Sequence, residues 1–279
     1  MGKSSDKNFR DPKVILVTGA SSGVGWATAE RLQKAGHKVF GTSRSPEAKG
    51  PIGVTMLPLD VEQDESVRTC IRTVLANAGQ VDVLVSNAGR LVFGPSEEVP
   101  LAEAQRMFET NFWGAVRVVN AVLPGMRARK RGHVILVGSI AAWVALPLNA
   151  FYSASKAALG RYAEALRHET MDLGIHVALI ESSEIATPFW ERANKVPTRF
   201  SDYTLVRERV FAALKPLFAS APKPDALAAV IEKAACAEDP EPVYRFGRFA
   251  QRMPWMRVIL PARFFERGLR KRFGLGPQG

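Results

Sequence analysis

The chain has 279 residues, of which 47% are hydrophobic and 23% are charged, and its formal net charge is +11. This length suits one large α/β domain or two small ones, and the composition indicates a globular protein with a buried core. Two cysteines are too few for a disulfide framework, and the four histidines are scattered. We therefore expect an intracellular protein with reduced thiols and no metal site.

The positive charge is concentrated near the C-terminus. From residue 244 onward, nine basic residues stand against one acidic residue, which leaves a net charge of about +3 for the rest of the chain. This distribution does not indicate a nucleic-acid-binding body. The first 13 residues are polar and have no apolar signal core, and no apolar run reaches the ~18 residues of a membrane span. The expected location is cytoplasmic.

Short apolar runs alternate with amphipathic helical patterns along most of the chain. The six predicted strands cover residues 13–18, 37–43, 53–60, 81–86, 132–139 and 174–181. The predicted helices end at Ala35 and cover 64–79, 101–129 (interrupted or bent near Pro124) and 151–173. This alternation predicts an α/β fold of the Rossmann type, a doubly wound parallel sheet with helices on both faces. Without repeats or long linkers, residues 1–279 are expected to form a single domain.

Residues 187–222 interrupt this alternation. The segment contains four prolines and the aromatic residues Phe189, Trp190, Phe200 and Tyr203. An irregular segment after a late strand of an open α/β sheet is well placed to cover a ligand, so we expect a lid or substrate loop here.

A glycine-rich stretch, TGASSGVG at residues 18–25, joins the first strand to the first helix. Glycines at this junction allow a tight turn and a close backbone approach, and the helix N-terminus presents N–H groups to a pyrophosphate. A glycine-rich turn can also be purely structural. The strand before it and the helix after it favour dinucleotide binding, and the absence of Gly-Lys-Ser/Thr argues against a nucleoside-triphosphate loop.

The end of the second strand bears on the choice between NAD and NADP. An acidic residue at this place hydrogen-bonds the adenosine ribose of NAD, whereas a basic residue accommodates the 2′-phosphate of NADP. The sequence here is GTSRS, with Ser43 where an acid would stand and Arg44 after it. Although Arg44 could be a solvated turn residue, the missing carboxylate favours NADP (NADPH).

The stretch FYSASK places Tyr152 and Lys156 four residues apart in a helical pattern. Any amphipathic helix can produce this spacing, so the pair alone could be a packed aromatic and a surface lysine. Alternatively, both side chains point at one substrate oxygen. A free phenol has a pKa of about 10, and a nearby cation would lower that pKa and make the phenol a usable acid or base.

Five elements in this order, TGASSGVG, NAG at 87–89, Asn111, Ser139 and Tyr152-x-x-x-Lys156, resemble the short-chain dehydrogenase/reductase family over residues 13–187. The resemblance implies a Rossmann-type enzyme that transfers hydride between NADP(H) and a carbonyl or alcohol. The implied catalytic residues are Asn111, Ser139, Tyr152 and Lys156. The implied cofactor-binding residues are Gly19, Ser21, Ser22, Gly23, Val24, Gly25, Ser43, Arg44, Asp60, Val61, Asn87, Ala88, Gly89, Tyr152, Lys156 and Thr187.

The resemblance also implies a role for each catalytic residue. Tyr152 is the general acid in reduction and the base in oxidation, and Lys156 lowers its pKa and holds the nicotinamide ribose. Ser139 hydrogen-bonds the substrate oxygen. Asn111 helps to hold a water-linked proton path through Lys156.

Two positions depart from the family pattern. Ser182 and Ser183 stand where the family usually has Pro-Gly, and Ser86 stands where it often has asparagine. Because proline fixes φ and glycine permits a close approach, the backbone beside the nicotinamide can differ here. Glu181 and Glu184 are also expected to bring negative charge to this place. A non-catalytic NADP(H)-binding regulator or scaffold with a membrane-surface tail is the alternative that this departure leaves open.

Residues 223–275 resemble the C-terminal part of bacterial oxidoreductases grouped with 17β-hydroxysteroid and retinol dehydrogenases. That resemblance implies a lipophilic ketone, aldehyde or secondary alcohol as substrate, such as a steroid, a retinoid or a long-chain carbonyl compound. Family members are often dimers or tetramers through helices at about 101–129 and 151–173, which implies a homo-oligomer. The basic amphipathic segment at about 252–273 can either dock on its own domain or lie at an anionic membrane surface.

Overall fold

In the computed structural model of the chain, the residues described are 12–45, 47–187, 194–196 and 198–276. Over these residues the strands are β1 (Val14–Val17), β2 (Lys38–Ser43), β3 (Thr55–Pro58), β4 (Val83–Ser86), β5 (Val92–Phe93), β6 (Gly132–Val137), β7 (Ile175–Ser182), β8 (Asn194–Lys195) and β9 (Val243–Phe246). The α-helices are α1 (Gly23–Lys34), α2 (Asp64–Ala78), α3 (Leu101–Phe108), α4 (Gly114–Arg129), α5 (Ala150–Thr170), α6 (Thr204–Ala219), α7 (Pro224–Cys236), α8 (Arg248–Ile259) and α9 (Ala262–Arg272).

Seven strands form one parallel sheet in the order β3-β2-β1-β4-β6-β7-β9. All six strands predicted from the sequence belong to it. The seventh, β9, was not predicted, because it is a four-residue run between a proline-rich turn and a basic helix. It extends the sheet beside β7, with Leu179 opposite Val243. The predicted Rossmann-type architecture is confirmed.

The sheet has a hydrophobic core on each face. Alternate residues of β1 face opposite sides, so that Leu16 joins the core under α2, α4 and α5, while Ile15 and Val17 join the core under α1 and α7. All three side chains are completely buried. Coverage on both faces explains why the central strands are continuous apolar runs in the sequence.

The long predicted helix at 101–129 is interrupted, but not at Pro124. The interruption is a single π-helical turn at Glu109–Trp113, and α4 continues through Pro124 to Arg129. Asn120, whose carbonyl loses its partner at this proline, is exposed, so water can satisfy the carbonyl. A π turn is a frequent feature of functional sites, and this one contains Asn111.

The segment predicted as a loop at 187–222 is helical over much of its length. α6 occupies Thr204–Ala219 and buries Val210 and Leu214. Its helical periodicity was missed because prolines and aromatic residues surround it. Phe189 and Trp190 lie outside the described residues, and a lid function stays a prediction.

The strand order places the site. The connections run in opposite directions from β1, toward β3 on one side and toward β9 on the other. In an open parallel sheet, such a reversal leaves a crevice at the carboxyl ends of the strands, where ligands bind. Across the described ranges, no helix is both long and apolar enough to cross a membrane.

Candidate active site

A cleft of about 990 Å³ lies at this reversal point. Most of the residues predicted to bind cofactor or substrate line it. They are Gly19, Ser21, Ser22, Gly23, Val24, Ser43, Arg44, Asp60, Val61, Asn87, Ala88, Gly89, Ser139, Tyr152, Lys156 and Thr187. Only Gly25 and Asn111 from the predicted set do not line it; both lie behind its wall.

The glycine loop needs its glycines for two different reasons. Gly19 has a φ of +69°, a left-handed conformation that other residues rarely adopt, and a Cβ there would lie 3.1 Å from Ala88 Cα. Gly25 lies inside α1, where a Cβ would be 2.2 Å from the carbonyl oxygen of Gly19. Gly19 therefore shapes the turn, and Gly25 allows the helix to pack tightly against it.

The first turn of α1 is suited to an anion. Ser22, the residue preceding the helix, makes no side-chain capping hydrogen bond, and no acidic residue occurs in the first turn. The backbone N–H groups and the positive end of the helix dipole thus face the cleft without a competing carboxylate. This arrangement can bind a diphosphate.

Thr18 and Asn87 fix the glycine loop against the next strand. The hydroxyl of Thr18 accepts hydrogen bonds from the backbone nitrogens of Asn87 and Ala88 at 2.9 and 3.0 Å. The side-chain nitrogen of Asn87 donates to the carbonyl oxygens of Thr18 and Gly19 at 3.0 and 3.3 Å. Thr18 opens the quoted motif TGASSGVG, but the sequence did not assign it a role, because its partners lie some 70 residues away.

Arg44 is exposed at the rim of the cleft, directly after β2. Ser43 accepts a hydrogen bond from the backbone nitrogen of Ser45 at 3.2 Å. At the end of the neighbouring strand β3, Asp60 caps the following turn by accepting a hydrogen bond from the nitrogen of Glu62 at 3.0 Å. The basic residue and the hydroxyl groups at the end of β2 can receive a phosphate.

Ser139, Tyr152 and Lys156 meet in the middle of the cleft. Ser139 follows β6 and shares a side-chain hydrogen bond with Tyr152 on α5. Lys156, one helical turn after Tyr152, donates from Nζ to the carbonyl oxygen of Val137 at 2.8 Å. Its Nζ lies 5.8 Å from the centre of the Tyr152 ring. The spacing seen in the sequence therefore places both groups on one face of the helix, beside the serine.

Burial controls the protonation of this pair. It raises the pKa of Tyr152 to about 12, although the hydrogen bond with Ser139 acts in the opposite direction. It also lowers the pKa of Lys156 to about 8. The predicted lowering of the tyrosine pKa by Lys156 is not seen: burial raises the pKa of Tyr152, and the lysine donates to Val137.

Asn111 connects two walls of the cleft from behind. Its Oδ1 accepts from the backbone nitrogen of Arg90 at 2.8 Å, and its Nδ2 donates to the carbonyl oxygen of Arg90 at 3.0 Å. Nδ2 also donates to the Ser155 hydroxyl at 3.1 Å. Both N–H groups of the amide are therefore used, and the side chain fixes the segment after Gly89 to the helix of Lys156. A role in a proton path stays a prediction.

The two serines that replace Pro-Gly pack against the end of the neighbouring strand β9. The backbone nitrogen of Ser183 donates to the carbonyl oxygen of Phe246 at 3.1 Å. A Cβ on Gly247 would lie only 2.1 Å from the Ser183 hydroxyl oxygen, so the larger residue at 183 is accommodated by a glycine at 247. Ser182, Ser183 and Thr187 all line the cleft.

Glu181 does not bring net negative charge to the cleft. It is 2% exposed and forms an ion pair with Arg245, whose Nε is 2.8 Å from Glu181 Oε2. Its Oε1 accepts a hydrogen bond from the indole nitrogen of Trp143 at 2.6 Å. Trp143 follows the turn that begins at Ser139, so this network ties the serine loop to β7 and β9. Glu184, by contrast, does line the cleft.

The far end of the cleft is apolar, and its residues were not identified from the sequence. They are Phe93, Ile140, Val144, Leu146, Leu214, Phe218 and Phe249. They come from four separate segments, including α6 and α8, so that no local pattern brings them together. Among the described residues, no group of three or more His, Cys, Asp or Glu side chains is placed to hold a metal ion.

A model of the short chain dehydrogenase family matches residues 13–197. The chain belongs to the short-chain dehydrogenase/reductase family. It is therefore an oxidoreductase, as predicted, and its family binds NAD or NADP. The site fits such a cofactor, because a glycine turn, an unblocked helix N-terminus and two basic residues, Arg44 and Lys156, line one cleft.

Several characterised relatives are similar to this chain. 3-Ketodihydrosphingosine reductase of Bacteroides thetaiotaomicron is 41% identical over 184 residues, which are 66% of this chain and 68% of that protein. Human retinol dehydrogenase 8 is 38% identical over 64% of this chain and 60% of its own length. Mouse 17-beta-hydroxysteroid dehydrogenase type 1 is 34% identical over 88% of this chain and 72% of its own. The match thus spans about three fifths of the retinol dehydrogenase.

Solved structures agree with this assignment. A short-chain dehydrogenase from Streptomyces avermitilis superposes with a TM-score of 0.80 and 31% identity, over 96% of this chain and 99% of the other. A metagenomic short-chain oxidoreductase in complex with NADP gives a TM-score of 0.66 and 25% identity, over 84% of this chain and 97% of the other.

Proposed function

We propose that the protein transfers hydride between NADP(H) and a lipophilic ketone, aldehyde or secondary alcohol. The observation that carries the proposal is the meeting of Ser139, Tyr152 and Lys156 in a cleft that has a glycine loop at one end and an apolar wall at the other. A bound nicotinamide supplies or accepts the hydride. The protein orients the reactants and handles the proton.

In reduction, the hydroxyls of Ser139 and Tyr152 donate hydrogen bonds to the substrate oxygen, and Tyr152 then gives up its proton. A tyrosine pKa of about 12 keeps the phenol protonated at neutral pH, as an acid must be. Lys156 stabilises the phenolate that remains. The negative phosphate groups of a bound dinucleotide would favour the cationic form of Lys156. The same lysine would hold the nicotinamide ribose.

Arg44 supports NADP as the cofactor. Its guanidinium can form paired hydrogen bonds with a 2′-phosphate, and Ser43 offers a hydroxyl beside it. No carboxylate stands at the end of β2 to bind a free ribose 2′-hydroxyl. Asp60 and Val61 would lie beside the adenine, and Asn87, Ala88 and Gly89 beside its ribose. Thr187 would contact the carboxamide.

The apolar end of the cleft supports a lipophilic substrate. Phe93, Phe218 and Phe249 surround the space beyond Tyr152 and offer dispersion contacts but no charge. The relatives described above are enzymes of 3-ketodihydrosphingosine, retinol and 17-beta-hydroxysteroids, which are all lipophilic. A steroid-, retinoid- or long-chain-like carbonyl compound is therefore the proposed substrate class.

A homodimer or homotetramer in the cytoplasm completes the proposal. The helices at about 101–129 (α3 and α4) and 151–173 (α5) would form the interface, as the family resemblance implies. Two large apolar side chains near the start of this region are exposed, Leu101 at 68% and Trp113 at 49%, and a partner subunit would cover them.

Fluorescence titration with NADPH and NADH tests the cofactor assignment. The wild-type protein should bind NADPH more tightly, and Arg44→Asp should lose about 10- to 100-fold in NADPH affinity, because a charge-assisted phosphate contact is removed. Arg72→Asp, an exposed substitution on α2, serves as the matched control. Binding of neither nucleotide by the wild-type protein would refute the proposal, whereas NADPH binding without turnover of any carbonyl compound would favour a non-catalytic regulator or scaffold.

A further inference from the structure

The C-terminal helices α8 and α9 each have one face packed on the protein and one face in solvent. Ala250 and Pro254 of α8 are buried, as is Phe265 of α9. Phe249 of α8 lines the apolar end of the cleft. The guanidinium carbon of Arg272 lies over the Phe249 ring, 4.9 Å from its centre. Both helices are therefore fixed to the body of the enzyme beside the substrate end of the site.

The solvent face of these helices is unusually apolar. Trp255, Val258, Ile259 and Phe264 are 66%, 71%, 73% and 65% exposed. On α8, Trp255, Val258 and Ile259 are three to four residues apart and share one face. Large side chains exposed singly are ordinary, but a cluster of this kind indicates an interaction surface.

The same two helices are strongly basic. Residues 248–273 contain eight arginines and lysines and a single acidic residue, Glu266. Arg252 lies one turn before Trp255, and Arg267 and Lys271 follow Phe264 along one face of α9. All three basic side chains are exposed. We define the docking face as Arg252, Trp255, Val258, Ile259, Phe264, Arg267 and Lys271.

We infer that the docking face binds the surface of an anionic lipid membrane. Aromatic and aliphatic side chains that project among arginines and lysines suit the boundary between lipid headgroups and acyl chains. Basic residues are attracted to anionic headgroups. A second copy of the chain is the weaker candidate, because two faces of the same positive charge would repel each other.

Docking would serve the proposed reaction. Phe249 and Trp255 are six residues apart on α8, which is about 9 Å along the helix axis. The apolar end of the cleft would therefore lie close to the lipid, and a lipophilic substrate could pass from membrane to enzyme without crossing much water. This benefit rests on the proposed function, whereas membrane binding itself does not.

Co-sedimentation of the full-length protein with vesicles tests the inference. Vesicles of phosphatidylcholine alone are compared with vesicles that also contain phosphatidylglycerol. The wild-type protein should sediment with the mixed vesicles and much less with the neutral ones. Trp255→Ser combined with Ile259→Ser should weaken the binding about tenfold or more, as should Arg267→Glu combined with Lys271→Glu.

Ile52→Ser is the matched control, because Ile52 is 93% exposed and lies outside the docking face. It should sediment like the wild-type protein. NADPH affinity should be the same in all variants, so that a failure of membrane docking can be distinguished from a failure of the proposed reaction.

Three results would overturn the inference. These are no sedimentation of the wild-type protein with mixed vesicles, equal sedimentation of the wild-type protein and both double variants, and equal binding to neutral and mixed vesicles. If the wild-type protein does not bind vesicles but is a dimer that Trp255→Ser with Ile259→Ser dissociates, the face belongs to a second copy of the chain.

Discussion

Lys156 lies one helical turn after Tyr152, with its Nζ 5.8 Å from the centre of the tyrosine ring and 2.8 Å from the carbonyl oxygen of Val137. The lysine is thus held beside the phenol without donating to it. Burial affects the two groups in opposite directions, with a tyrosine pKa of about 12 and a lysine pKa of about 8. At neutral pH the site thus holds the protonated Tyr152 phenol beside the Lys156 ammonium, whose burial costs free energy.

That cost predicts that Lys156→Met stabilises the protein while removing activity. An unfolded lysine has a pKa of about 10.4, so between pH 8 and 10.5 the unfolded wild-type chain binds more protons than the folded one. The free energy of unfolding of the wild type therefore rises with pH in this window. At pH 7 the variant should be more stable by ~1–3 kcal/mol, after the lost Val137 hydrogen bond is allowed for.

Urea unfolding at pH 7, 8.5 and 10 measures this effect, and the gap between variant and wild type should shrink as pH rises. Lys49→Met, which changes an exposed lysine, should show no such trend. A gap that stays constant across the pH range would contradict the assignment of the cost to the buried ammonium.

Glu181 is predicted to hold the Ser139 loop in place through Trp143. Glu181→Ala leaves the Arg245 guanidinium and the indole N–H without their buried partner, and should cost ~2–4 kcal/mol in stability. It should also lower kcat about tenfold with little change in NADPH affinity, because the serine moves while the glycine loop does not. Trp143→Phe removes the indole hydrogen bond but keeps the Glu181–Arg245 ion pair, and should have a smaller effect on stability. Unaltered kcat in a folded Glu181→Ala protein would show that the network is structural alone.

The Ser182-Ser183 pair is predicted to affect the affinity for NADPH or the turnover rate. Restoring Pro-Gly with Ser182→Pro and Ser183→Gly fixes one φ angle and frees another beside Thr187, and it removes the side chain that faces Gly247. We expect a change in NADPH Kd or in kcat of about threefold or more. Titration and steady-state kinetics measure both quantities. If neither changes, the departure from the family pattern has no functional effect.

The burial of His133 predicts that the folded protein loses stability at acidic pH. Burial lowers its pKa to about 4, and its Nδ1 lies 3.1 Å from the carbonyl oxygen of Ala235. Lys13, His176 and Arg131 also disfavour the charged form. Between pH 6.5 and 4 the unfolded chain binds a proton at this histidine and the folded chain does not. The free energy of unfolding should therefore decrease by up to ~3 kcal/mol as the pH is lowered from 6.5 to 4.

His133→Asn should flatten the dependence of Tm on pH between pH 6.5 and 4, even if it lowers Tm at pH 7. His168→Asn changes an exposed histidine and should leave the slope unaltered. The same slope in wild type and His133→Asn would place the acid sensitivity elsewhere.

The sequence predicted the parts of this molecule in which one short segment determines the structure. Gly19, Gly23 and Gly25 predicted the loop, and Tyr152 and Lys156 predicted a shared helix face, because backbone freedom and helical spacing are local properties. The buried runs of β1, β4 and β6 likewise predicted a parallel sheet.

The parts that were missed depend on contacts between distant segments. β9 joins the sheet only because β7 leaves an edge free, and the apolar wall combines Phe93 with Phe218 and Phe249. The expectation that Glu181 brings negative charge to the cleft was wrong. Its ion-pair partner, Arg245, lies 64 residues away in the sequence and could not be recognised from it. The pKa of Tyr152 was misjudged since spacing reveals a neighbouring cation but not the depth of burial.

The central claim is hydride transfer that depends on the Tyr152 hydroxyl, and NADPH oxidation with a panel of lipophilic ketones and aldehydes tests it most directly. The wild-type protein should oxidise NADPH with at least one of these compounds. Tyr152→Phe should bind NADPH normally and lose about 10²- to 10⁴-fold in kcat. Turnover by Tyr152→Phe at the wild-type rate would contradict the account, as would a wild-type protein that binds NADPH and reduces none of the compounds.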